Sequence, residues 1–381
     1  MEKEKVEYIS KKNFIFLLAL GIFLLSLGIE YTDLSLKYGK VIQMARYVSY
    51  GLCAIKILWE AVYRKRETFI YAVILLFAGY ESTISGKRGM FFLMFFLLAS
   101  YGVSLKQAFR VQIAVQGACL LTVWLLCLLG VFDNLEFYRH GAVSYSMGFS
   151  YVGFSGALFI ALEASWLFLR NKKITFAETA AFFIIWIVIF YFTDTRAVTM
   201  LGIFMTIACY AAKFFKKSIK NKLVKWLCIL YYPLFTLFVW GLQYYYNLHD
   251  NMGIMKKLNE GLSGRLQLNK HAIETYGLKL LGDDITWITN MDNRVRNAYN
   301  YVDCTYFKVL FDFGLVIGIL FLASHIYIMY YMWKKDQLTG CIILCVLSVL
   351  AFMTPLTGLN TNPLLLLAGG IFHGKTKIRQ T

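Results

Sequence analysis

The chain has 381 residues, 59% of them apolar, 17% aromatic and only 16% charged. With 3 Pro and 28 Gly, this composition excludes a disordered or collagen-like chain, and it is too apolar for an ordinary soluble globule. Its 39 Lys and Arg against 22 Asp and Glu give a net charge of +17, which on a chain with no soluble domain signals membrane topology rather than nucleic-acid binding.

A spanning helix needs about 20 mostly apolar residues. From the N-terminus, such segments are 14–30, 41–62, 69–83, 90–103, 111–131, 147–168, 174–193, 197–212, 226–246, 304–331, 338–353 and 362–372. Twelve spans predict an all-α, polytopic integral membrane protein, with one membrane domain over 1–381. The first segment follows a basic stretch but has no small-residue cleavage site, so a retained helix is expected. Segments 90–103 and 362–372 are short and are expected to be tilted, re-entrant or partly buried in protein. Arg64, Lys65 and Arg66, then Arg170, Lys172 and Lys173, and the lysine run 213–225 all fall on the side of the two termini. That bias places the N- and C-termini in the cytoplasm. The 213–225 run also suits contact with anionic lipid. The 8 Cys lie in or at the edge of spans without a CxxC, and the 5 His are scattered, so neither disulfides nor a dedicated metal site are expected.

One connection stands apart. Residues 247–303, between the ninth and tenth spans, form a large extracytoplasmic loop, and long ordered loops are usually functional. Helices are predicted over 251–262 and 264–276, the second with Leu266, Leu268, Ala272 and Ile273 as its apolar residues; Gly277 and Gly282 punctuate the stretch beyond it. The loop also carries Arg265, His271, Glu274, Asp283, Asp284, Asp292, Arg294, Arg296 and Asp303. No internal repeat is evident.

Two arginines oppose the charge bias. Arg88 closes Ser85-Gly86-Lys87-Arg88-Gly89, and Arg196 closes Thr193-Asp194-Thr195-Arg196, each at the outer end of a span. A guanidinium fork beside a helix N-terminus suits a phosphate; the alternative is a snorkelling anchor. Lys87 reads as solvated, and Asp194 as the residue that orients Arg196. Arg265 opens a loop helix for which Ser263 is the expected N-cap; by composition alone it reads as an exposed arginine. Asp303, at the mouth of the tenth span, reads either as a general base or as a helix cap. His271 shares a helical face with Glu274 and is the second candidate base, or simply part of a solvated face. Trp287 suits stacking on a sugar ring or anchoring the loop on the bilayer. Lys56, Glu163, Lys308 and Asp312 lie in or near spans, where ionisable groups invite a functional reading; Lys308 and Asp312, four apart, predict a local ion pair.

Several stretches together resemble the O-antigen ligase and polymerase superfamily. Asp194-Thr195-Arg196-Ala197 before an apolar helix is similar to its Ser-Arg element. Leu262-Ser263-Gly264-Arg265, followed by a helix and by Leu280-Leu281-Gly282-Asp283, resembles the start of its large periplasmic loop. The stretch from Val302-Asp303-Cys304 to Phe313-Gly314-Leu315 resembles the segment after that loop, and 352–366 its last two spans. Asp303 stands where the ligases carry a histidine, so the likeness is closer to the repeat-unit polymerases of capsule, exopolysaccharide and O-antigen. The resemblance implies a GT-C-like, metal-independent membrane glycosyltransferase of the bacterial plasma membrane, with no cofactor. Its implied substrates are undecaprenyl-pyrophosphate-linked oligosaccharides, and its implied partners are membrane lipid, a flippase and chain-length regulators. It implies Arg88, Arg196 and Arg265 as pyrophosphate ligands and Asp303 or His271 as base. A glycan ligase and a lipid-linked oligosaccharide flippase or transporter are the alternatives.

Overall fold

The computed structural model describes residues 10–62, 65–139, 142–215, 218–248, 253–289 and 299–372. Arg64, Asp292, Arg294, Arg296, His140, His249 and His373 lie outside them. The elements are α1 (Lys11–Glu30), α2 (Leu34–Ala61), α3 (Lys65–Ser85), α4 (Gly89–Ala99), α5 (Leu105–Leu128), β1 (Glu136–Arg139), β2 (Ala142–Tyr145), α6 (Gly153–Arg170), α7 (Phe176–Thr193), α8 (Arg196–Ala212), α9 (Lys222–Leu248), α10 (Gly253–Gly261), α11 (Arg265–Tyr276), α12 (Thr305–Lys334), α13 (Leu338–Leu350) and α14 (Gly369–Phe372). Eight of these helices are long and apolar enough to cross a membrane, and α4, α8 and α13 are shorter apolar helices. Their outer faces keep large apolar side chains exposed: on α9 alone Leu223, Leu227, Leu234, Leu237 and Phe238. Such a surface would aggregate in water and is natural in lipid. The architecture is that of an all-α polytopic membrane protein.

Eleven of the twelve expected segments coincide with α-helices. The last does not: Pro363–Ala368 is a 3-10 turn leading into the four-residue α14, and the turn is buried throughout. The chain before it, 351–362, is irregular, yet none of it is exposed: its residues are buried or half-buried, and Leu359, Asn360, Thr361 and Asn362 are buried in succession. Its backbone is satisfied from α5, where Gln112 Nε2 donates to Leu359 O at 3.1 Å and Gln116 Nε2 to Asn360 O at 2.7 Å. Asn360 Nδ2 in turn donates to the Tyr31 hydroxyl at 2.6 Å. Non-helical backbone at membrane depth is tolerated only when protein satisfies it in this way. A second departure is the hairpin of β1 and β2, antiparallel with Phe137 opposite Ser144 and Tyr138 opposite Val143. The sequence predicts only a short connection between 131 and 147, since strands of four residues are too short to show a period.

α12 is broken. A straight 30-residue helix would be about 45 Å long, half again the thickness of a bilayer core. Gly314 interrupts it with φ 82° and ψ 175°. The twenty residues after the break suffice to span, and the half-helix 305–313 before it is buried on every side. The loop fills the break: Asp283 N donates to Phe311 O (3.0 Å), Leu315 N to Lys279 O (2.9 Å) and Val316 N to Leu280 O (3.2 Å). Lys308 and Asp312 therefore belong to this enclosed half-helix rather than to the stretch that is long enough to cross.

Lys56 illustrates why a buried charge need not be a site. Its Nζ donates to Ala99 O at 2.5 Å and Tyr101 O at 2.6 Å, closing the C-terminus of α4, where carbonyls have no partner in the helix. Replacing Lys56 by Met strands both carbonyls, and we expect a loss of about 2–4 kcal/mol in detergent unfolding. An unchanged melting temperature would contradict this capping role.

Candidate functional site

The loop that fills the break in α12 also carries the candidate chemistry, so that end of the bundle is called the loop end. α10 and α11 are joined by a turn in which Ser263 and Gly264 both have positive φ, 56° and 79°. Ser263 is not the N-cap of α11; Gly264 is, and the capping oxygen comes from Asn259, whose Oδ1 accepts from Gln267 N at 3.2 Å. Asn259 sits on the amphipathic α10, too far back in sequence for a local capping pattern to reveal it. The turn aims Arg265 inward. Its Nε donates to Met353 O and its Nη1 to Leu262 O, both at 3.0 Å, while Nη2 lies 3.5 Å from Asp303 Oδ2. Both side chains are mostly enclosed, 20% and 26% exposed, so this pair is screened less than a surface salt bridge.

The segment that receives Arg265 also receives the N-terminus of α12. Thr305 N donates to Ala351 O (2.7 Å), Thr305 Oγ1 to Thr354 O (2.7 Å), and Leu356 N returns a bond to Thr305 Oγ1 (2.8 Å). Asp303 thus stands where three elements meet: α11, the start of α12 and the chain leaving α13. The α12 N-cap is Cys304, so the capping role open to Asp303 from its sequence position is not the one it takes.

Two turns along α12 the half-helix carries a second charged cluster. Lys308 Nζ pairs with Asp312 Oδ2 at 2.8 Å, as the i, i+4 spacing predicts. The ammonium also lies over the rings of Trp287 (4.2 Å) and Tyr301 (4.9 Å), and Trp287 Nε1 donates to Asp312 Oδ1 at 2.7 Å. Trp287 is therefore neither a free sugar platform nor a bilayer anchor; its face holds a cation and its edge a carboxylate. Burial, and then the nearby Asp303 carboxylate, push the Tyr301 hydroxyl well above its ordinary pKa, so it remains a neutral phenol. Glu81, on α3, is fully buried and faces the same cluster, a residue that sequence reasoning passed over because it sits singly in an apolar run.

The other expected residues are placed differently. Lys87 is not merely solvated: its Nζ donates to Ile285 O at 2.6 Å and lies 3.9 Å from Asp284, tying the turn before α4 to the loop. Arg88 itself is exposed, and its guanidinium has no ion pair among the described residues. Arg196 stays within its own turn, its Nε 3.1 Å from Asp194 Oδ1, and is 61% exposed. Asp194 can hold it because it takes a left-handed conformation, φ 46°, at the end of α7. His271 is exposed on α11, whose buried residues are Leu266, Asn269 and Ala272, and a helix places it on a different face from Arg265. Glu274 is exposed beside it, so this is a solvated face. The structure brings Arg265 and Asp303 into contact and leaves Arg88, Arg196 and His271 outside that pair. Comparison with protein-family models, curated proteins and solved structures returns no match.

Proposed function

We propose that the chain is a repeat-unit polymerase of a bacterial surface polysaccharide. In this reading it sits in the plasma membrane with both termini in the cytoplasm and the loop end outside. Its substrates are two undecaprenyl-pyrophosphate-linked oligosaccharides, and the growing chain is transferred from one carrier to the terminal sugar of the other. The observation that carries the reading is the Arg265–Asp303 pair, an anion ligand and a proton acceptor held together beside α11 and the start of α12 at one end of a lipid-facing bundle.

The chemistry follows from that contact. The acceptor hydroxyl oxygen bonds to the anomeric carbon of the donor, its proton passes to Asp303, and the bond from that carbon to the phosphate oxygen breaks with its electrons going to the pyrophosphate. A pyrophosphate approaching Arg265 competes with Asp303 for the guanidinium, so donor binding itself frees the carboxylate to accept the proton. Arg196 and Arg88, exposed at helix N-termini, supply further positive charge to the carrier phosphates. A flippase would deliver the repeat units and chain-length regulators would stop their growth.

The test is a strain lacking this gene, with its surface glycan and its lipid-linked pool profiled together. Single repeat units on the outer face with the polymer ladder gone are expected. Long polymer stranded on the carrier would mean a ligase, and repeat units trapped on the inner leaflet a flippase. An unchanged profile would refute all three readings.

A further inference from the structure

Away from the loop end, α7 and α8 leave a cavity of about 200 Å³ between them, lined by Phe176, Ala180, Phe183, Ile203, Thr206 and Ile207. Its wall is apolar although Thr179 and Thr206 both line it, because the Thr206 hydroxyl turns inward and donates to the buried carboxylate of Glu163, and the Thr179 hydroxyl donates to Thr175 O at 3.0 Å. The other oxygen of Glu163 accepts from Trp186 Nε1 at 2.9 Å. Gly202 lets α8 approach Trp186 so closely that a side chain there would collide with the indole. The groove is therefore a rigid seam, open toward the exposed apolar faces of both helices, where Phe183, Ile184, Phe204 and Ile207 lie bare. A bilayer puts hydrocarbon against that surface.

The seam ends in a basic rim. Residues 171–175 belong to the end of the bundle opposite the loop, since Thr339, just after α12 finishes, donates its hydroxyl to Asn171 Oδ1 at 2.9 Å. There Lys213 Nζ donates to Ile174 O at 3.4 Å and lies 5.3 Å from the Tyr210 ring centre, and Tyr210 in turn meets Phe176 at the mouth of the groove. Lys173 is exposed on the same turn, and Lys172 reaches across to Phe215 O at 3.2 Å. The nearby carboxylate, Glu178, is consumed by Arg170 at 2.7 Å and by the Thr175 backbone at 2.7 Å, so it does not cancel the rim. An apolar slot that leads to lysines with no ion pair among the described residues matches a tail joined to a phosphate.

We propose that this groove seats one acyl chain of an anionic glycerophospholipid, with the lipid phosphate against Lys173 and Lys213. The site is independent of the transferase reading. The lysines supply an attraction that a zwitterionic lipid largely lacks, and the groove supplies selectivity for a chain over bulk hydrocarbon.

The full chain, reconstituted in phosphatidylcholine nanodiscs doped with phosphatidylglycerol, tests this by native mass spectrometry. One retained phosphatidylglycerol per chain is expected, preferred over phosphatidylcholine by about tenfold or more, in line with the attraction of two lysines at a charged surface. Lys173→Gln with Lys213→Gln should erase the preference, and Ala180→Phe, which fills the groove, should erase retention of either lipid. The lysine pair lies at the surface and carries the test if the filled groove fails to accumulate. Equal retention of both lipids, or a preference that the lysine pair does not move, overturns the proposal. Replacement of phosphatidylglycerol by an isoprenyl phosphate at equal concentration overturns the choice of lipid.

Discussion

Gly314→Ala should prevent the protein from accumulating in a folded form. At φ 82° and ψ 175° Gly314 occupies a region that side chains essentially cannot enter, which alone costs about 1–3 kcal/mol. Space makes matters worse. A Cβ at 314 would collide with the backbone of Gly282 and Leu280, and one at Gly282 would meet Asp312 O at 2.5 Å. Neither neighbour is a flexible side chain, so the loop would have to leave. It would take with it the three hydrogen bonds that fill the break in α12, and buried backbone groups left unpaired cost about 1–3 kcal/mol each. Together these are comparable with the margin of about 5–15 kcal/mol that separates a typical folded domain from its unfolded state. Gly241, inside α9, is the control: nothing lies near its Cβ position, and Ala there should be neutral or slightly stabilising. Fluorescence-detected size-exclusion chromatography of the two variants decides the matter. Equal, monodisperse peaks would mean that the loop does not hold the broken helix.

Asp303→Asn should remove polymer while leaving protein level unchanged, since Asn keeps the shape of the side chain and one acceptor oxygen but cannot take the proton. General-base removal commonly costs 10²- to 10⁴-fold in rate. Arg265→Ala and Arg196→Ala should remove polymer as well. Arg265→Lys should restore little, because a compact ammonium lacks the planar fork whose Nε, Nη1 and Nη2 reach Met353 O, Leu262 O and Asp303 separately. Arg265→Ala also strands two carbonyls, so its protein level must be measured beside its glycan. Asp303→Asn is the cleaner variant, because Asp303 is an acceptor whose loss of charge leaves those carbonyls bonded. A normal ladder from both Arg265→Ala and Asp303→Asn would remove the proposed chemistry.

Much of the scaffold was legible in the sequence, because hydrocarbon imposes long apolar runs and charge sorts between their ends. α10 and α11 were equally legible, from ordinary helix patterning between glycines. The hidden features depend on pairing across sequence. The break at Gly314 could not be read from one glycine in a long apolar run, although the excess length of that run was a clue. The 351–362 segment looks like a gap between spans, and only Gln112 and Gln116 reveal that it lies inside. At the site, Arg265 and Asp303 were each ambiguous singly; their contact is a tertiary fact. His271 was the opposite case, a residue whose chemistry suggested a role that its helix face does not support.

The Gln112 and Gln116 ladder has a consequence for how the molecule is assembled. These amides bond to carbonyls 247 and 244 residues further along the chain. Until those residues have been synthesised, the two amides can bond only each other, Gln112 Nε2 to Gln116 Oε1 at 3.3 Å, and the 351–362 segment in turn has no place in lipid without them. Maturation ends only when the last part of the chain enters from the side and closes the bundle. A ribosome that stops short of residue 351 leaves an open bundle rather than a smaller finished one, because the carbonyls that Gln112 and Gln116 hold are not yet there.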